Sequence, residues 1–202
     1  MVFDYKKEYK KFYFPPRRPE IADIPEMNFL AVRGKGDPNE ESGEYKTAVG
    51  LLYAVSYTHK IKGYFPYVVP PLEGLWWAEK GNIDYSKKGD FRWISLIRLP
   101  DFVSKQDFDW AIEEASKKKG GDFSKVEFFS YAEGLCIQCM HIGSYDDEPE
   151  TISQMEKHCE EAGFLLDLGK ERHHHEIYLG DPRKMPKEKL KTVIREPIRK
   201  KI

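Results

Sequence analysis

The stretch His173-His174-His175-Glu176-Ile177-Tyr178-Leu179 gathers several groups able to do chemistry. Read as a strand, its two-residue period sends His174, Glu176 and Tyr178 to one face and His175, Ile177 and Leu179 against the covering helices. A carboxylate and a phenol then point together. Among apolar neighbours Glu176 would lose water, which raises its pKa and suits it to accept a proton, a hydrogen bond or the charge of a cationic ligand. A solvent-exposed strand glutamate fits the same pattern. Three consecutive histidines invite a metal, yet a strand splits them between faces, and His173 and His175 have no third ligand at an evident spacing. Neither metal nor cofactor is expected.

Leu72-Glu73-Gly74-Leu75-Trp76-Trp77 is a second concentration, this time aromatic. Alternation puts Leu72, Gly74 and Trp76 on one face and Glu73, Leu75 and Trp77 on the other, so one tryptophan of the pair faces a cleft or both are packing. Trp93, Tyr131 and Tyr145 add to the aromatic count. Cys136-Ile137-Gln138-Cys139 has CxxC spacing, but positions three apart on a strand face opposite ways, whereas redox pairs open a helix. These read as reduced core cysteines. No phosphate-binding glycine loop, dinucleotide fingerprint or GxSxG elbow occurs.

The elements that must hold these residues follow from periodicity. Residues 1–26 mix Lys, Arg, Tyr, Phe and four prolines, which suits an extended arm on a domain surface. Phe29 to Arg33 reads as a strand closed by a turn at residues 34–39, and apolar residues recur at helical spacing over 44–58. Tyr67 to Val69, Leu72 to Trp77 and Phe91 to Leu99 read as strands, with a polar hairpin from Gly81 to Asp90. Ser104 and Asp107 form a capping signature for a helix over 105–118, with Val103 placed to pack on Phe108. Val126 to Phe129 and Leu135 to Ile142 then read as strands. A helix with Pro149 in its first turn and Gly163 at its end follows, then strands Phe164 to Leu168 and His174 to Leu179, and a partly helical basic tail from Lys184 to Lys201.

Each half thus runs strand, turn, helix, strand, strand, which predicts a tandem α+β repeat. Helices would cover one sheet face and leave the other as a concave surface for a ligand. The expected organisation is an arm over 1–26 and one domain over 27–202, built of repeats at about 27–100 and about 125–182 joined by a linker helix.

The 202 residues carry a net charge of −1, which gives no global field to hold a nucleic-acid backbone or an anionic membrane. No apolar run reaches the ~18–20 residues of a membrane span, and the first residues lack the apolar stretch of a signal peptide. A cytoplasmic protein, monomeric or weakly dimeric, with no nucleic-acid or membrane partner is expected.

Several segments together resemble the stand-alone form of the GyrI-like small-molecule-binding family, the form without a DNA-binding domain. They are Asp4-Tyr5-Lys6-Lys7-Glu8, Pro25-Glu26-Met27-Asn28-Phe29, residues 34–39, Pro70-Pro71-Leu72-Glu73-Gly74-Leu75-Trp76-Trp77, His141-Ile142-Gly143-Ser144-Tyr145, His174 through Arg183, and Lys191 through Pro197. The resemblance implies strand-helix-strand-strand modules around a central groove, with an aromatic wall from Trp76 or Trp77 and an acidic centre at Glu176 beside Tyr178. Some stand-alone relatives hydrolyse the strained cyclopropane of DNA-alkylating compounds. Carried over, Glu176 would activate water, Tyr178 would hydrogen-bond the water or the substrate carbonyl, and the tryptophans would stack on a flat ring system. Glu73, Trp93, Tyr131, His141, Tyr145 and His174 complete the expected ligand-binding set. The alternative is a ligand sensor or drug-sequestering module without turnover.

Overall fold

The computed structural model describes residues 2–61, 67–79, 83–84 and 86–201. It is a mixture of helices and antiparallel strands. In chain order the elements are α1 (Tyr5–Glu8), α2 (Lys10–Tyr13), β1 (Glu20–Lys35), α3 (Glu44–Ile61), β2 (Leu72–Ala78), β3 (Phe91–Arg98), α4 (Lys105–Lys119), β4 (Glu127–Ile142), α5 (Glu148–Glu161), β5 (Phe164–Leu166), β6 (His174–Tyr178) and β7 (Lys191–Lys200). They divide into two compact units, one of Met1–Glu8 with Met27–Tyr131 and one of Tyr9–Glu26 with Ala132–Ile202.

In the first unit β3 pairs antiparallel with β1 on one side and β2 on the other. Paired residues share a sheet face, so Gly34, Trp93 and Trp76 form one row. Tyr45 of α3 packs on that row, 5.3 Å from the Trp76 ring and 5.2 Å from the Trp93 ring, which identifies it as the helix-covered face. Gly34 is required there. A Cβ on it would sit 2.2 Å from the end of the buried Trp93 ring. On the opposite face α1 brings the Tyr5 ring to 4.5 Å from the Arg98 guanidinium. α4 starts as its sequence dictates: Ser104 accepts from the Asp107 N–H, and the Asp107 carboxylate accepts from the Ser104 N–H at 3.0 Å.

In the second unit β7 is the hub. It pairs antiparallel with β4, β6 and β5. Ile137, Cys139, Ile194 and Ile198 of the sheet pack with Met155 and Cys159 of α5 into a buried cluster. α5 carries proline in its first turn, and Gly163 just beyond it adopts φ 83°, the left-handed conformation that stops a helix.

Several boundaries differ from the periodicity reading, each for a physical reason. The arm is not extended throughout: α1 and α2 fold because Tyr5 and Tyr13 find buried seats, and residues 20–26 begin β1. The strands expected at Val126 to Phe129 and Leu135 to Ile142 merge into one 16-residue strand, β4, which begins at Glu127. Tyr67 makes a single bridge to Phe3 rather than a strand. The basic tail is a strand, because every position from Thr192 to Ile198 is buried, on both faces, among the strands it pairs with. The expected hairpin at 81–90 falls partly on residues 80–82 and 85, outside the described residues.

Candidate functional site

The row Cys139, Ile194, Glu176 decides which way the glutamate points. Cys139 and Ile194 pair across β4 and β7, Ile194 and Glu176 across β7 and β6, so all three share the face that packs on α5. Glu176, His174 and Tyr178 therefore lie on the helix-covered side, the reverse of the expected arrangement. The neighbouring row, Gln138, Arg195 and His175, occupies the other face. That face is not bare either: Gln138 donates to the Lys11 carbonyl at 2.8 Å and Arg195 to the Phe12 carbonyl at 3.0 Å, so the N-terminal segment covers it. The glutamate can sit under a helix because the helix start brings polar partners to meet it.

Those partners form a closed chain. The His174 ring donates through Nδ1 to Glu196 Oε1 at 2.6 Å and through Nε2 to Glu176 Oε1 at 2.9 Å. The Tyr178 hydroxyl donates to Glu176 Oε2 at 2.6 Å, and the Tyr145 ring meets the Tyr178 ring edge-on at 5.7 Å. Glu148, the first residue of α5, hydrogen-bonds Glu176. Both carboxyls sit at the positive end of the helix dipole.

The environment separates the two carboxyls electrically. Burial raises the pKa of both, and for Glu148 the adjacent Glu176 charge pushes further the same way, so it is held well above the usual carboxylate range. For Glu176 the hydrogen bond and charge of His174, with the Tyr178 and Glu148 hydrogen bonds, outweigh burial and bring it below that range. Burial disfavours a charged His174, but Glu196 and then Glu176 overrule it and raise its pKa well above the ordinary value. The surroundings thus favour the charged forms of Glu176 and His174 and the neutral form of Glu148. Tyr145 is pushed up to about 12 by burial and by the Glu148 and Glu176 carboxyls. Glu176 remains reachable, its side chain 11% exposed against 2% for His174 and Glu196.

A second ionic chain stands on the opposite face. Glu133 accepts from His175 at 3.0 Å and from Arg195 at 2.7 Å, and Arg195 also donates to Gln138. Burial would raise the Glu133 pKa, but Arg195 and His175 bring it down to about 2. This chain ties strands to the N-terminal segment and is structural.

Of the expected site residues, Tyr145, His174, Glu176 and Tyr178 converge. His141 lies behind them: Nε2 donates to the Ser144 carbonyl at 3.0 Å and Nδ1 accepts from the Thr151 hydroxyl at 2.9 Å, fixing the turn that carries Tyr145 into α5. Glu73, Trp76, Trp77, Trp93 and Tyr131 belong to the first unit. There Trp76 and Trp93 pack on Tyr45 under α3, Trp77 is half-buried on the opposite face with Glu73, and Tyr131 stacks on Phe129 at 5.6 Å. Glu148 and Glu196 escaped the sequence reading. Glu196 alternates with Ile194 and Ile198 and would have surfaced had the tail been read as a strand.

Among the described residues, Glu148, His174 and Glu176 are the set that could hold a metal ion, with one ligand atom each within 4.8 Å of the others. His174 already engages both ring nitrogens with carboxylates, so a metal would have to displace the Glu176 hydrogen bond. Cys136 and Cys139 are buried free thiols in separate rows of β4, and burial raises both pKa values, that of Cys139 to about 11.

Residues 17–199 match the model of the GyrI-like small molecule binding domain. The chain is similar to an uncharacterized conserved protein from Listeria innocua, at 47% identity over 98% of this chain and 100% of that one, with a TM-score of 0.93. It is similar to a hydrolase from Listeria innocua at 45% identity, again over 98% of this chain and 100% of that one, with a TM-score of 0.88. The EcmrR C-terminal domain shares the fold alone, at 14% identity over 91% of this chain and 98% of that one, with a TM-score of 0.57. No curated protein sequence matches the chain. No helix among the described residues is long and apolar enough to cross a membrane.

Proposed function

Because the chain belongs to the GyrI-like small-molecule-binding family, we propose that it binds planar, lipophilic small molecules at the Glu176 cluster and hydrolyses those that carry a strained, electrophilic ring. The observation that carries this reading is the pair of hydrogen-bonded carboxyls whose surroundings push them apart, Glu176 toward the ionised form and Glu148 toward the neutral one. Environments that push two neighbouring acids apart assign one as base and the other as acid. The hydrolase at 45% identity supports turnover rather than binding alone.

In the proposed step water sits against Glu176, which takes its proton as the oxygen bonds to the cyclopropane carbon. The ring C–C bond breaks, its electron pair passes into the conjugated carbonyl, and the carbonyl oxygen takes the proton held by Glu148. Proton return from Glu176 to Glu148 across their hydrogen bond restores the starting state. Tyr178, donating to Glu176, fixes the carboxylate, and Tyr145 packs edge-on against the Tyr178 ring. Trp76 and Trp93 serve by packing. Duplex DNA is not a ligand in this reading, as the net charge of −1 offers no phosphate-binding face.

A second reading, sequestration of lipophilic cations without turnover, draws on the net negative charge of the cluster, two carboxylates against one imidazolium. The variants separate the two. With a cyclopropane-bearing dienone, Glu176→Gln should lower kcat by ~10² to 10⁴ and leave affinity for neutral analogues nearly unchanged. Glu148→Gln should remove the alkaline limb of the pH–rate profile, because that limb reports loss of the Glu148 proton. Wild-type turnover by Glu176→Gln overturns the base role. Tight binding with no turnover by the wild type leaves sequestration.

A further inference from the structure

We propose that the first unit contains a second small-molecule site, in the cavity between α3 and the C-terminal end of α4, and that it takes a flat aromatic anion. The cavity measures about 720 Å³, within the ~300–1,000 Å³ of ligand pockets. Leu51, Ala54 and Phe123 line it, together with Tyr53 and Tyr57, whose rings stack at 6.2 Å and 25°. Tyr57 is 54% exposed, so this aromatic pair offers a face to an incoming ring instead of to the protein.

Gly50 shapes the space. A glycine inside a helix is destabilising relative to alanine, and here packing does not demand one: a Cβ at Gly50 meets nothing within 4 Å. What the missing side chain leaves is room in the cavity. The rim is basic. Lys118, Lys119, Lys125 and Asp122 line it; Lys118 pairs with Glu114 at 3.9 Å and Lys125 lies near Asp122, while Lys119 makes no ion pair among the described residues. An apolar, aromatic floor under a surplus of ammonium groups selects a planar ring bearing a carboxylate or sulfonate. The acidic Glu176 cluster has the opposite preference, so the two sites divide ligands by charge, and this one does not depend on the hydrolytic reading.

The probe is 8-anilinonaphthalene-1-sulfonate, followed by fluorescence and calorimetry on the full chain. The wild type should bind one equivalent, and more tightly than it binds uncharged N-phenyl-1-naphthylamine. Gly50→Leu should fill the cavity and cut affinity at least tenfold while holding or raising the melting temperature, since leucine is the better helix former. Lys119→Glu with Lys125→Glu should cut sulfonate affinity at least fivefold and spare the uncharged analogue. Glu176→Gln should change neither. Unaltered binding by Gly50→Leu, equal affinity for the two probes, or loss of binding in Glu176→Gln would each overturn the proposal. So would a change of sedimenting mass in Gly50→Leu, which would identify the cavity as a contact between copies of the chain.

Discussion

The two units use one pairing scheme with different contents. In the first, the last strand, β3, lies between β1 and β2; in the second, the last long strand, β7, lies between β4 and β6, and in each a helix follows the opening strand. Between α3 and the sheet the first unit places Tyr45 of the helix against Trp76 and Trp93. Where α5 begins, the second sets Glu148 of the helix with His174, Glu176 and Glu196 of the strands, beside its aliphatic cluster. Aromatic packing is a sum of many weak contacts, so loss of one part costs in proportion to its area. A buried ionic chain behaves otherwise, since each charge is tolerable only while its partner stays. The first face can be worn down gradually, whereas the second fails by links.

Removing a link tests that contrast most severely. Arg195→Met strands the buried Glu133 carboxylate and should cost about 3–5 kcal/mol in urea denaturation, while adding Glu133→Gln to it should recover most of the loss. A cost below ~1 kcal/mol would show that the chain of charges is not coupled.

Acid should dissolve the same link. The folded pKa of Glu133, about 2, lies below the ordinary 4.5. A depressed pKa contributes stability that is present above pH 4.5 and is lost as pH falls through the folded value, here on the order of 3 kcal/mol. Stability measured against pH should therefore decline below pH 4.5 in the wild type and decline less in the double variant Glu133→Gln/Arg195→Met.

For the aromatic face the matching test is Gly34→Ala, which forces a methyl group into the Trp93 ring and should cost about 1–3 kcal/mol. Repacking with Trp93→Phe should return part of it. If Gly34→Ala proves neutral, the aromatic row has slack that the ionic chain lacks.

What the sequence disclosed follows the same division. Periodicity located α3, α4 and α5 because apolar spacing, the Ser104 cap and Gly163 are local signals. It paired Glu176 with Tyr178 because strand alternation is local too. It could not say which face α5 would cover, for that depends on the β4–β7 and β6–β7 registers, pairings between residues 14–61 positions apart. Glu148 stayed hidden for the same reason: its only tie to Glu176 is spatial. The lysines near the end of the chain suggested a helical tail, while the segment from Thr192 to Ile198, buried at every position, becomes visible as a strand only once the strands it pairs with are known.

The bond from Arg195 to the Phe12 carbonyl spans 183 residues. During synthesis Phe12 leaves the ribosome long before Arg195 exists, and Lys11 waits in the same way for Gln138. Domains generally fold as their sequence emerges, and non-local pairing slows the search. The first unit has nearly all its residues once Tyr131 is made, but the second cannot close its hub until β7 arrives. The Glu176 cluster, which takes Glu196 from that strand, is therefore assembled only when synthesis is nearly over, and a chain halted before β7 carries its first unit entire and no acid–base pair at all.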